Sequence, residues 1–164
     1  MYQQELNERI RKHALWLQDV EGGERLDLSY VDLSGANFSG ADLSSTNFSG
    51  ADLSGANLSY ANLRGANLSG AKLSYADLRD ARLWNTTGNN REIKTIQAGN
   101  WPVVYTATHM QIGCQNHAIG EWWSFSDEEI DAMDSDALTW WADWKPLLQR
   151  ILEVSPATPT GAEQ

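Results

Sequence analysis

A five-residue period runs through residues 26–85 and constrains the fold more than any other feature of the sequence. Twelve consecutive units span Leu26 to Asn85, and Asp or Asn dominates the second position of each unit. The third position is large and apolar in every unit: Leu28, Leu33, Phe38, Leu43, Phe48, Leu53, Leu58, Leu63, Leu68, Leu73, Leu78 and Leu83. The first position is small or aliphatic: Leu26, Val31, Ala36, Ala41, Thr46, Ala51, Ala56, Ala61, Ala66, Ala71, Ala76 and Ala81.

This period matches neither the 3.6 residues of an α-helical turn nor the alternation of a long strand, so the chain must turn once in each unit. If the large residue and the small residue before it both point inward, four units close a square coil around a Leu and Phe core. The backbone of one coil then pairs with the next coil at about the 4.7–4.9 Å spacing of strands. Twelve units predict three such coils.

Units such as Ala51–Gly55 (ADLSG) and Ala66–Gly70 (ANLSG) resemble the pentapeptide-repeat family. That resemblance implies a right-handed quadrilateral β-helix over residues 26–85, and we expect a mainly β protein. The best-known activity that the resemblance implies is DNA mimicry, in which an acidic repeat stack occupies the DNA site of a topoisomerase or another DNA-binding enzyme.

The flanking segments predict a cap and a second structural unit. Residues 3–18 show helical spacing of apolar residues, so residues 1–25 should form a helix and a turn that cap the first coil. The pattern HALWL at residues 13–17 followed by GGER at residues 22–25 also resembles the leader of pentapeptide-repeat proteins carried by bacteriophages and prophages. This resemblance bears on origin rather than on chemistry.

Residues 86–154 predict a small α+β module. Strand-forming residues at 93–97, 101–106 and 108–112 favour a short antiparallel sheet. Ser126 begins a capping-box pattern for a short helix to about Met133, and a second helix should begin after Asp134 or Ser135. Pro146 should kink or restart that second helix. We expect the tail, residues 155–164, to be disordered.

Composition limits the compartment and the partners. No apolar run is long enough to cross a bilayer, and the chain begins with charged residues rather than an apolar signal core, so we expect a soluble, cytoplasmic protein. One cysteine, Cys114, cannot form an internal disulfide. A net charge of −10, carried mostly by residues 86–164, argues against direct binding of nucleic acid.

Seven of the eight tryptophans stand at position 84 or later. A buried core explains most of them, but the adjacent pairs Trp122-Trp123 and Trp140-Trp141 cannot easily place both rings in one core. The remaining rings should line a surface or a pocket. The candidate binding residues are Arg91, Trp101, His109, His117, Trp122, Trp123, Trp140, Trp141 and Trp144.

Catalysis and metal binding receive little support. His109, Cys114 and His117 could supply three zinc ligands, but no second cysteine offers a fourth, and Cys114 resembles a buried thiol at a strand end. No acid or oxyanion loop accompanies a Cys–His nucleophilic pair. We therefore expect no enzymatic activity, no cofactor and no metal.

Three functional hypotheses follow. The first is a scaffold whose Trp-rich module binds a protein, with Tyr30, Tyr60 and Tyr75 as further contacts; the phage-like leader suggests inhibition of a bacterial host or defence factor, and a homodimer is expected. The second is DNA mimicry, which needs the acids of the module to extend the repeat surface: Asp127, Glu128, Glu129, Asp131, Asp134, Asp136 and Asp143. The third is capture of a small signalling nucleotide in a Trp-lined pocket.

Overall fold

A computed structural model describes residues 3–161 of the chain. Helix α1 spans Gln3–Leu17 and precedes the repeats. The strands of the module are β1 Lys94–Ala98, β2 Trp101–Tyr105, β3 His109–Ile112 and β4 Gln115–Ala118. Its helices are α2 Ile119–Ser124, α3 Asp127–Asp131 and α4 Ala137–Val154.

The repeats form a β-helix with four units per turn. Parallel bridges join residues 20 positions apart, from the Asp27–Asn47 pair to the Asn67–Thr87 pair. Between these bridges the Leu53 N–H donates to the Lys72 carbonyl at 2.8 Å, and equivalent bonds recur in each coil. The square coil predicted from the five-residue period is therefore confirmed. The pairing reaches Thr87, so the repeat geometry ends two residues later than the predicted boundary at Asn85.

Both inward rows of the repeat are buried. The Leu and Phe row is at most 7% exposed at every position except Leu78, which packs partly buried against the same core. The small residues of the first coil, Val31, Ala36 and Ala41, are half-buried. Helix α1 covers this end, where Leu6 is 1% exposed and Ile10 packs against the repeat core. The predicted capping helix is confirmed.

His13 fastens α1 to the first coil. Its ring is fully buried, with Nε2 2.9 Å from the Ser44 carbonyl, while Nδ1 accepts a bond from the Leu26 N–H at 3.1 Å. This pair of partners requires the neutral imidazole that carries its proton on Nε2. Burial is the main cause that lowers the pKa of His13 below its ordinary value.

The module begins with a four-stranded antiparallel sheet in the order β1-β2-β3-β4. Three strands lie where the sequence predicts them, and β4 was missed. Its short polar sequence, QNHA, has none of the β-branched residues that mark a strand. Gly113 (φ 56°) and Cys114 form the turn between β3 and β4. The prediction of a buried Cys114 is wrong, because a two-residue hairpin turn exposes its side chains.

The helices differ from expectation in two ways. Helix α2 was not predicted, whereas α3 has the expected capping box between Ser126 and Glu129. Helix α4 runs for 18 residues through Pro146 without restarting. Pro146 is exposed, and there a carbonyl that loses its helical partner can bond to water. The predicted restart at Pro146 is therefore wrong, and the alternative of a kink stays a prediction.

The tail is ordered as far as the structure describes it. Tyr105 donates its hydroxyl to the Ser155 carbonyl at 2.9 Å, and the Thr158 N–H donates to the Arg91 carbonyl at 2.8 Å. Ala157 is 7% exposed, and the Thr160 carbonyl accepts a bond from the Tyr75 N–H on the last coil. The prediction of disorder is wrong for residues 155–161, and residues 162–164 lie outside the described residues. These bonds strap the module to the β-helix.

Candidate functional site

Trp122 and Trp141 form the centre of the module rather than its surface. They are 2% and 4% exposed, and their ring centroids lie 5.5 Å apart. The Trp122 Nε1–H donates to the Met110 carbonyl at 2.6 Å. Trp123, the neighbour of Trp122, is half-buried and stacks on Trp141 at 5.8 Å. As the adjacent spacing predicts, one ring of this pair lies in the core and the other lies at its rim.

Trp140 and Trp144 pack on the turn between β1 and β2. The Trp140 Nε1–H donates to the Ala98 carbonyl at 2.7 Å, and the two rings stack at 5.7 Å. Trp101 meets Trp140 edge to face at 5.3 Å. All three rings are half-buried. The three rings pack against the module core, and each remains partly exposed to solvent.

A cleft bounded by Trp101, Trp122, Trp140 and Trp141 has a volume of about 70 Å³. Sites for drug-sized ligands commonly occupy about 300–1,000 Å³. The pocket predicted among the tryptophans is therefore too small for a nucleotide in this conformation.

The structure does not bring the predicted polar contacts together. His109 is exposed at the start of β3, and Arg91 lies 3.6 Å from the buried carboxylate of Glu92. Because Cys114 lies at the far end of the β3–β4 hairpin, it is separated from His109 by the length of a strand. Within residues 3–161 no group of three or more His, Cys, Asp or Glu side chains is arranged to hold a metal ion.

His117 lies against the aromatic core on β4. Its ring meets the rings of Trp122 and Phe125 edge to face at 5.2 and 4.9 Å. Nδ1 is 3.9 Å from the Glu121 carboxylate, and Nε2 is buried with no hydrogen-bond partner in the described part of the chain. His117 is thus held apart from His109, which faces solvent.

A larger groove lies between the last two coils and the module, and the sequence did not predict it. This junction groove has a volume of about 760 Å³. Its repeat wall carries Arg64, Arg82 and Trp84, and its module wall carries Trp101 and polar side chains of the β3–β4 hairpin. The Leu83 N–H donates to the Gln111 Oε1 atom at 3.0 Å across its base. The fourth position of a repeat unit is usually Ser. On the face that lines this groove, positions 64 and 84 instead carry Arg and Trp, and this departure was the sign that the sequence offered.

The predicted acidic surface is exposed on α3 and on the turn before α4. Its members are Asp127, Glu128, Glu129, Asp131, Asp134 and Asp136. Glu129 is engaged in the capping box, where its Oε2 accepts from the Ser126 N–H at 2.9 Å. Bonds from its own N–H, and then from the Ser126 hydroxyl, hold the pKa of Glu128 below its ordinary value.

The acids of the repeat do not form a continuous stripe. Stacked positions on one face read Asp32, Asp52 and Lys72. The Lys72 ammonium lies 3.2 Å from the Asp52 carboxylate and neutralises the end of this row. The aspartates mainly accept hydrogen bonds within their own turns. At Asp27, for example, bonds from the Ser29 hydroxyl and N–H hold the pKa below its ordinary value. This arrangement counts against DNA mimicry by the β-helix.

Helix α4 exposes apolar side chains beside its buried face. Ala137, Trp141 and Leu148 are buried in the module core. Roughly a quarter turn away on the helix, a second row is only partly covered: Trp144, Leu147, Ile151 and Val154. Leu147 is 52% exposed and Val154 is 60% exposed. We call this row the α4 stripe.

The three tyrosines named as contacts do not share a surface. Tyr30, Tyr60 and Tyr75 are exposed, but they lie on different faces, because only residues 20 positions apart stack on one face. Each occupies a corner of the coil with φ close to 60°.

Comparison with known proteins supports the repeat. Residues 24–59 and 46–85 match the family model described as pentapeptide repeats, in eight copies. These matched residues contain the square coils, which confirms the family resemblance for this segment. No curated protein matches the chain.

Three solved structures illustrate the similarity. A pentapeptide repeat protein (Rfr23) from the cyanobacterium Cyanothece 51142 is 35% identical, over 38% of this chain and 49% of that one, with a TM-score of 0.34. One from the Arabidopsis thaliana thylakoid lumen is 37% identical, over 40% and 48%, with a TM-score of 0.28. HetL from Nostoc sp. PCC 7120, described as involved in heterocyst differentiation regulation, is 31% identical, over 43% and 44%, with a TM-score of 0.22. The chain thus spans about half the length of each of these proteins.

Proposed function

We propose that the protein is a non-enzymatic binding protein, in which the β-helix is the scaffold and the C-terminal module binds a partner protein. The scaffold would be a right-handed helix of three coils. The observation that carries the proposal is the α4 stripe, an apolar row that is only partly covered beside a well-packed core. Leu147 and Val154 stand seven residues apart on one side of the helix, a spacing at which one helix seats against another.

The charges around the stripe define the chemistry of the partner. Asp134, Asp136 and Asp143 are exposed around the N-terminal half of α4, and the acids of α3 precede them. Asp134 Oδ1 accepts a bond from the Asp136 N–H at 3.1 Å, so this turn is ordered. A partner that covers the stripe therefore needs an apolar groove with a basic rim. The same negative charge opposes a dimer that would place two acidic ends together.

The phage-like leader supports a bacterial host or defence factor as this partner, met in the cytoplasm of the host cell. Inhibition would then consist of occupying the partner's basic-rimmed groove. No helix within residues 3–161 is long and apolar enough to cross a bilayer.

The test compares the full-length protein with two double variants in a bacterial lysate. Leu147→Lys with Val154→Lys adds two positive charges to the α4 stripe. Ala142→Lys with Gln149→Lys adds the same charges, also seven residues apart, at exposed positions on another side of the helix. The proposal requires a protein that the wild type and the control retain and that the stripe variant loses by at least tenfold.

Salt and native mass complete the test. Replacing Asp127, Glu128 and Asp131 by their amides should weaken the same complex and reduce its dependence on salt, because basic partners are attracted by this charge. Equal retention by the stripe variant and the control would overturn the proposal. A native dimer that Leu147→Lys dissociates would also overturn it, since a second copy would then cover the stripe.

A further inference from the structure

We propose that the junction groove is a binding site for a nucleoside monophosphate, with the phosphate held by Arg64 and Arg82 and the base stacked on tryptophan. This site is separate from the α4 stripe and does not depend on the proposed protein partner. The evidence is that arginines without an ion pair, aromatic rings and side-chain amides surround one cavity.

The bases of the repeat divide into two kinds. Lys72 lies 3.2 Å from the Asp52 carboxylate, and Arg79 lies 2.6 Å from the Asp77 carboxylate. Arg64 and Arg82 form no ion pair with any residue in the described range 3–161, although both are exposed on the groove. In a chain with a net charge of −10, two arginines on one wall that form no ion pair favour the binding of an anion there.

The geometry of the coil sets these arginines side by side. Arg82 stands one coil above Asn62, with which it forms a parallel bridge, and Arg64 follows Asn62 by two positions. Both side chains therefore leave the same face of the β-helix. Arginine is suited to phosphate because its planar group donates two parallel bonds to the oxygens. Asp80 also lines the groove, which leaves one net positive charge among these three groups.

Aromatic surface lies next to this charge. The Arg64 guanidinium sits 4.6 Å from the centroid of the Trp84 ring, which holds its position by a cation–π contact. Trp101 faces the groove from the module and covers Gly113, whose position would bring an added Cβ within 3.5 Å of the indole. Bases stack on tryptophan at about 1–3 kcal/mol each, with little preference for sequence.

The size and the remaining lining suit the whole ligand. The cavity of about 760 Å³ falls within the range typical of small-molecule sites, whereas the cleft among the core tryptophans does not. Side-chain amides of Asn100, Gln115 and Asn116 offer donors and acceptors along the module wall. A sugar hydroxyl or a base edge needs such groups, and an inorganic anion does not.

Calorimetric titration of the full-length protein with adenosine 5′-monophosphate, adenosine and inorganic phosphate tests the assignment. The monophosphate should bind at least about tenfold more tightly than either fragment, because only the whole ligand uses the arginines and the rings together. Arg64→Gln and Arg82→Gln should each weaken binding of the monophosphate about tenfold or more. Trp84→Leu should weaken the monophosphate by a larger factor than inorganic phosphate, because it removes a stacking surface as well as the contact that positions Arg64.

Arg79→Gln is the matched control, because it removes the same charge from the same β-helix at an arginine that Asp77 already neutralises. Unchanged melting temperatures of the variants will show that they fold. Absence of monophosphate binding by the wild type overturns the proposal. Equal weakening by Arg79→Gln and Arg64→Gln would also overturn it, since the effect would be one of overall charge, and binding of inorganic phosphate as tight as that of the monophosphate would remove the role of the rings.

Discussion

The β-helix and the C-terminal module bury their apolar side chains by opposite means. In the repeat, each coil supplies the same Leu or Phe and the same small residue, and each unit satisfies its backbone through the coils on either side. In the module, a few large rings from α2, α4 and the sheet meet once, in an arrangement that no other segment repeats. The repeat is thus stabilised by one local rule applied many times, and the module by contacts that are each irreplaceable.

We expect the largest loss of stability from replacing Trp122 in the core of the module. Trp122→Ala removes a buried ring and the bond that its Nε1–H donates to the Met110 carbonyl, so we expect a loss of about 3–5 kcal/mol of stability. Tryptophan fluorescence, which reports mainly on the module, should show unfolding at lower urea, while the circular dichroism of the repeat persists. Trp123→Ala, at the half-buried neighbour, should cost less. Simultaneous loss of both signals would contradict independent stabilisation of the two regions.

In the repeat, Leu58→Ala tests the same comparison from the other side. Leu58 is fully buried, and its removal should cost about 2–5 kcal/mol, measured by urea unfolding followed by circular dichroism. Leu78→Ala is the control, because Leu78 is only partly buried on the last coil. Equal losses at the two positions would show that burial does not determine the stability of a coil.

These two regions also differ in how far the sequence predicts them. The coil is predictable because the five-residue period forces one turn per unit, and residues such as Leu58 and Ala56 can be placed inward from spacing alone. Strand β4 was missed because its polar sequence lacks the residues that mark a strand, and helix α2 was missed because its position depends on the packing of Trp122 against β3. The ordered tail escaped prediction for the same reason, since Thr158 and Thr160 bond to residues far away in the sequence.

The residues of the candidate site were also predictable only in part. The sequence singled out the tryptophans as core or binding residues, but it could not tell which rings are buried. The junction groove was missed because it forms between positions 64–84 of one region and the β3–β4 hairpin of the other. No local pattern reports that the two surfaces meet.

The attachment between the regions depends on Asn89. Its Oδ1 accepts bonds from the N–H groups of Arg91, Glu92 and Ile93, each at 3.1 Å, and its Nδ2 donates to the Ala71 carbonyl at 3.0 Å. Asn89→Ala should cost about 2 kcal/mol, because four exposed or partly buried backbone groups lose their partner. Amide hydrogen exchange should accelerate at residues 91–93 first. Unchanged exchange there would show that the strap of residues 155–161 suffices to hold the module.

Acid should weaken the cap before it weakens the module. The folded-state pKa of His13 is lowered, so the folded state binds fewer protons than the unfolded state between that pKa and about 6.5. Stability from His13 is therefore fully present above about pH 6.5 and falls as the pH drops through this window. Urea midpoints at pH 7.5 and 5.5 should differ less in His13→Gln than in the wild type. An equal difference would remove His13 as the cause.

The smallest effect is expected at the coil corners. Tyr60 is 67% exposed and has a φ of 59°, a conformation that costs most residues about 1–2 kcal/mol. Tyr60→Gly should relieve this strain and gain up to about 1 kcal/mol, less the greater freedom of glycine in the unfolded chain. A clear loss of stability in urea unfolding would mean that the Tyr60 ring makes contacts that outweigh the strain.

In the proposed function the β-helix is a scaffold and the partner protein binds to the module. Hydrogen exchange of the full-length protein, alone and with the partner that the wild type retains, measures this most directly. We expect new protection along α4 around Leu147 and in α3, with the outer faces of the repeat unchanged. Protection concentrated on the repeat, in the rows that contain Asp32 and Asp42, would contradict it and would favour mimicry of DNA by the β-helix.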